Sequence, residues 1–197
     1  HGVATLNMLK SLVAYSHPDY MTFDSNATQA EWEAGNLALA TMWGSRGVAV
    51  MDGEGSSEAI ESSTVLSSAP TWGGKSRPAS TLWWDGISIS ANISDEDAEA
   101  TFIAMMHGIS PEVIAANNAA TVWLGKGYTP GRTSAGVSAT AAGGAAPYPM
   151  LPFMGTLHSA LGSEISDFLQ GSESAEQALS DVEAAYTAAA TEKGFLK

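Results

Sequence analysis

Six tryptophans in 197 residues is a high count, and four of them, Trp43, Trp72, Trp83 and Trp84, fall at expected loops or strand ends. The run Trp83-Trp84-Asp85-Gly86 sets two large aromatic faces beside a carboxylate and a glycine. Neighbouring residues of a strand point to opposite sides, so one tryptophan packs inward and the other faces a cleft. An aromatic face beside an acid suits a sugar. The ring stacks on the sugar's C–H face, and the carboxylate accepts hydrogen bonds from its hydroxyls. The plainer reading is that both tryptophans anchor a core.

The remaining chemistry-bearing residues form no catalytic set. The histidines are His1, His17, His107 and His158, with no i, i+4 pair and no HExxH pattern. Each reads as an exposed or hydrogen-bonded side chain. Gly44-Ser45-Arg46-Gly47 lacks the Gly-x-Ser-x-Gly of a nucleophile elbow, and Gly143-Gly144 lacks the lysine of a phosphate loop. Asp52, Glu54, Ser56 and Glu58 alternate like the start of a calcium loop. Ser57 stands where such a loop needs glycine, and Ser63 where it needs a bidentate glutamate. There is no cysteine, which excludes disulfides, thiolate zinc and thiol nucleophiles. Carboxylates are plentiful, but the sequence nominates no acid pair of the kind a glycosidase needs. The expectation is a binding protein rather than an enzyme, with no metal or cofactor required.

Charge narrows the partners. Against 21 acidic residues stand 8 basic ones, for a net charge of -13. Such a chain cannot neutralise a row of phosphates, so nucleic acid is excluded, and an anionic membrane surface repels it. Hydrophobic residues make up 45% and charged residues 15%, the balance of a globular chain. No apolar run reaches the length of a membrane span. His1-Gly2-Val3-Ala4 has neither the basic start nor the apolar core of a signal peptide. The expectation is a chain that is mature, cytosolic or cut from something longer.

The elements that must position these residues are mostly helical. Val3, Leu6, Leu9 and Val13 predict a helix over 3–16, stopped by Pro18. Thr28-Gln29-Ala30-Glu31 has capping-box spacing, and Gly35 ends the helix it announces. Residues 37–43 read as a short buried strand closed by Gly44. Residues 52–64 read as an acidic surface segment, Val65-Leu66 as a strand into the turn at Pro70, and 71–80 as a loop. A strand is expected from Leu82 to Ala91. Ser94 starts a helix with Ala98, Phe102 and Met105 inward, and Ser110-Pro111-Glu112 starts another. Residues 125–149 read as an irregular excursion with a flexible Ala-Gly tract at 139–146. A stripe from Met154 to Phe168 closes at Gly171, and Ser174-Ala175-Glu176-Gln177 caps a last helix that ends near Gly194.

Several stretches, in order, resemble the C-terminal half of extracellular solute-binding proteins of carbohydrate ABC transporters, the maltose-binding-protein-like family. Trp32-Glu33-Ala34-Gly35-Asn36-Leu37-Ala38-Leu39-Ala40-Thr41-Met42-Trp43-Gly44 is similar to that family's strand leading to a glycine and a tryptophan, with Leu39-Ala40 in place of its usual Ala-Met. Ser68-Ala69-Pro70 resembles a crossing strand that ends in proline. Asp85-Gly86-Ile87-Ser88-Ile89-Ser90, followed by the serine-started segment Ser94–Phe102, resembles its next strand and helix. Ser110-Pro111-Glu112, Tyr128-Thr129-Pro130-Gly131-Arg132 and Leu169–Leu179 resemble its later segments.

The resemblance implies an α/β fold of the periplasmic-binding-protein-like type II, here a helix-rich C-terminal half of a two-lobed fold. Lobe crossings are expected near 66–71 and 125–131. Residues 1–68 and 130–197 would then form the C-terminal lobe, and 72–126 part of the N-terminal lobe. Family members are longer, so the chain is expected to be a fragment lacking the first half of its parent. The implied function is a periplasmic substrate-binding component of an ABC importer. It would hold a sugar or polyol in an interlobe cleft, close by hinge motion and deliver its load to a membrane permease. Trp43 stands where the family places a tryptophan against ligand, and His158 near another cleft aromatic. Trp83, Trp84 and Asp85 lie on the segment facing the cleft, and Arg132 is a further candidate. Surface exposed by truncation would favour a homodimer. The alternative is a stand-alone helical interaction module without a ligand cleft.

Overall fold

The computed structural model describes every residue except Asp52, Trp84, Thr121 and Leu124. The expected ligand contact at Trp84 and the Asp52 start of the rejected calcium-loop reading therefore lie outside the described residues. The chain runs through α1 (Gly2–Val13), a 3-10 turn (Tyr20–Thr22), α2 (Ser25–Glu33), α3 (Arg46–Ala49) and α4 (Glu58–Ser63). It continues through β1 (Thr81–Leu82), α5 (Asp95–Gly108), α6 (Pro111–Ala116) and 3-10 turns at Asn118–Ala120 and Arg132–Ser134. Then come α7 (Ala135–Ala142), β2 (Ala146–Pro147), α8 (Met154–Glu164), α9 (Ser166–Gln170) and α10 (Ala175–Glu192). The protein is helix-rich, with a small sheet in which β1 and β2 pair in parallel.

Two compact units divide the chain, one of residues 1–23 with 149–197 and the other of residues 24–148. The lobe crossings expected near 66–71 and 125–131 both lie inside the second unit. In the first unit, Leu6 of α1 is buried with Phe168, Ala175 and Ala178, and Val3, Ile165, Leu169 and Leu179 pack around them. Gly171 ends α9 in a left-handed conformation (φ 89°), which a side chain would resist. Lys10 Nζ donates to the Phe168 carbonyl at 2.6 Å and lies 4.9 Å from that ring's centroid. One cation thus satisfies a helix-end carbonyl and ties α1 to α9. The Ser174 hydroxyl accepts from the Gln177 N–H at 3.1 Å and caps α10, as its spacing predicted.

In the second unit Val50, Met51 and Ile114 are buried, and close backbone crossings join its segments. A Cβ on Gly47 would stand 2.6 Å from the Thr133 carbonyl oxygen, and one on Gly136 2.7 Å from that of Ser67. Ser134 is fully buried, and its hydroxyl accepts from the Gly131 N–H at 3.0 Å. Thr140 Oγ1 accepts from the Ala69 N–H at 3.0 Å, fastening the segment after α4 to α7. The Trp32 indole donates to Thr64 Oγ1 at 3.0 Å across the turn that ends α4.

Four local expectations are corrected. Asp24, not Thr28, caps α2: its carboxylate accepts from the Ala27 N–H at 2.8 Å, so the helix begins a turn earlier. Residues 37–43, 65–66 and 83–91 form no strand among the described residues, because strands exist by pairing and, of the expected strands, only Leu82 pairs, within β1. Leu39 of the expected buried strand is almost wholly exposed. The Ala-Gly tract is ordered as α7 and β2, since alanine is the strongest helix former and Gly143 follows the last turn. The inward face expected for α5 is not buried, and Phe102 is exposed.

Candidate functional site

The sheet assembles an aromatic cluster in the second unit. Thr81 pairs with Ala146 and Leu82 with Pro147, and the Tyr148 N–H donates to the Leu82 carbonyl at 2.8 Å. One step further, Trp83 and Tyr148 stand in register. Register partners of a parallel pair point to the same side of the sheet, about 4.8 Å apart. The two rings accordingly stack, with centroids 4.0 Å apart and planes at 22°. Tyr148 lies between Pro147 and Pro149, which fix extended backbone on either side of it.

Trp43 completes the cluster from another direction. Its ring meets Trp83 edge to face, at 5.4 Å between centroids and 86° between planes. Trp43 is 51% exposed and Trp83 43%. Two devices set the path of Trp43. Gly44 lies against α7 so closely that a Cβ there would stand 1.9 Å from Val137 Cγ2. The Trp43 carbonyl accepts from the Arg46 N–H at 3.0 Å at the start of α3. The Arg46 guanidinium in turn donates to Gln29 Oε1 at 2.8 Å and Asn26 Oδ1 at 2.7 Å, anchoring α3 on α2.

The other expected site residues are placed differently. Asp85 is exposed, two residues beyond Trp83, and open space surrounds the Cα of Gly86. Arg132 is committed to the end of α4. It donates to the Glu61 carbonyl and, at 3.2 Å, to the Thr64 carbonyl, with Nη1 3.9 Å from Glu61 Oε1. A cation at the carboxyl end of a helix is stabilised by the helix dipole, so this side chain acts on α4. His158 is exposed on α8 and belongs to the first unit, whereas Trp43, Trp83, Asp85 and Arg132 belong to the second. In that first unit a shallow groove of about 230 Å³ runs between α8 and α10, where Thr156 Oγ1 accepts from Lys193 Nζ at 3.2 Å.

Tyr148 was missed in the sequence, where it sat inside the stretch read as irregular. Its flanking prolines were the available signal. One carboxyl stands out electrostatically. Partial loss of water around Glu173 pushes it above the usual carboxylate range, as do the charges of Asp181, Asp167 and Glu164, while a hydrogen bond with the Phe168 backbone opposes them. Among the described residues no group of three or more histidine, aspartate or glutamate side chains could hold a metal ion. No helix of the described residues is long and apolar enough to cross a membrane.

No protein-family model matches the chain, and no curated protein matches it.

Proposed function

We propose that the chain is a non-catalytic binding protein that holds a sugar or polyol against Trp43, Trp83 and Tyr148. The observation that carries this reading is the partly exposed cluster itself, three aromatic rings brought together from three segments of one unit. Such rings offer apolar faces to sugar C–H groups, and Asp85 supplies an acceptor for hydroxyls in the same segment. Trp84 and His158 join the set by the resemblance, and Arg132 contributes by holding α4. In the wider form of the proposal, the chain is part of a periplasmic solute-binding component of a carbohydrate ABC importer. It would then present its load to a membrane permease and need no cofactor.

The test is a tryptophan-fluorescence titration with a panel of hexoses, disaccharides and polyols. A member of the panel should shift the emission saturably and be recovered unchanged. Trp83→Ala, which removes the ring common to both contacts, should weaken binding about tenfold or more. Consumption of the sugar, or saturable binding that ignores Trp83→Ala, would sink the reading.

A further inference from the structure

One side of α5 is apolar and uncovered. Phe102 is 54% exposed, Ile103 61% and Met106 48%. No residue of this helix is buried. Spacings of three and four place neighbours on one side of a helix. Glu99 precedes Phe102 by three and Ile103 by four, Met106 follows them by four and three, and Asp95 precedes Glu99 by four. The five residues therefore make one stripe, acidic toward the N-terminus and apolar beyond. Asp95, Glu96 and Asp97 fill the first turn, and α5 carries no lysine or arginine. The Ser94 hydroxyl accepts from the Asp97 N–H at 3.1 Å and donates to its carboxylate at 2.7 Å. The helix start is thus secured by its own cap, without covering the stripe.

We infer that the stripe Asp95–Glu99–Phe102–Ile103–Met106 of α5 docks a basic amphipathic segment of a partner protein. Exposed apolar patches rimmed by charge mark interaction surfaces. Charge selects the occupant. Two copies of this chain each carry -13 and repel, and an anionic membrane is repelled likewise. A segment with apolar anchors and lysine or arginine at one end covers Phe102, Ile103 and Met106 while pairing with Asp95 and Glu99. This inference stands apart from sugar binding at the aromatic cluster.

The probe is a synthetic helical peptide with leucines at i, i+3, i+4 and i+7 and lysines flanking them, titrated by fluorescence anisotropy. Binding should saturate at one peptide per chain and weaken as salt rises. The double variant Phe102→Ser, Ile103→Ser should bind about tenfold or more weakly. Both positions are over half exposed, so that variant should keep the wild-type circular dichroism and melting temperature. Glu99→Lys should weaken binding and flatten its salt dependence. Equal binding of a scrambled peptide of the same composition would overturn the inference, as would indifference to the Phe102/Ile103 change. Self-association of the unmodified chain that the double variant abolishes would overturn it too, by making a second copy the occupant.

Discussion

Glu173 lies among Asp181, Asp167 and Glu164, and its carboxyl holds a proton more tightly in the folded chain than in the unfolded one. The folded state then binds more protons between the ordinary glutamate range and the raised value. Stability is gained below that window and lost as pH rises through it. Glu173→Gln should therefore melt higher than wild type near neutral pH, and the advantage should fade on acidification. A melting difference independent of pH would contradict this. Single residues were also where the sequence spoke most clearly about the site. The sequence singled out Trp43 and Trp83 as large aromatics near glycines, and the structure brings their rings together. Tyr148 was not, because its meaning depends on a partner some 65 positions earlier in the chain, and a two-residue parallel pairing leaves almost no local pattern.

Caps were the most readable features of the elements. Ser94, Ser110 and Ser174 each start the helix expected of them, since a capping hydroxyl acts within three residues, although the capping-box spacing at Thr28 set the start of α2 a turn late. Strands were the least readable. Residues 37–43 have the composition of a buried strand, yet pairing is a long-range event that composition does not encode. Arg132 was nominated by the resemblance, and the carbonyls of Glu61 and Thr64 to which it donates are likewise distant in sequence. The element that presents Trp43 gives a sharp test. Gly44→Ala forces a Cβ into Val137 of α7 and should displace the tryptophan, weakening sugar binding several-fold. Adding Val137→Ala should restore much of it. Binding unaffected by Gly44→Ala would show that Trp43 is not held by this contact.

For the whole molecule, helix content was legible, whereas apolar periodicity reports single elements and not which ones pack together. The first unit depends on Phe168, which is buried against Leu6, Ala175 and Ala178. Phe168→Ala should cost about 3–5 kcal/mol, read as an early melting transition of that unit. Because the aromatic cluster lies wholly in residues 24–148, sugar binding should persist through that transition. The central claim is that Trp43, Trp83 and Tyr148 form a sugar platform. It is tested most directly by the indole N–H signals of Trp43 and Trp83 in a 1H–15N spectrum, assigned by single Trp→Phe variants, during titration with the sugar and polyol panel. The account predicts that both signals move together and saturate with one ligand while the Trp32 signal stays in place. Signals of Trp43 and Trp83 that stay fixed across the panel would contradict it.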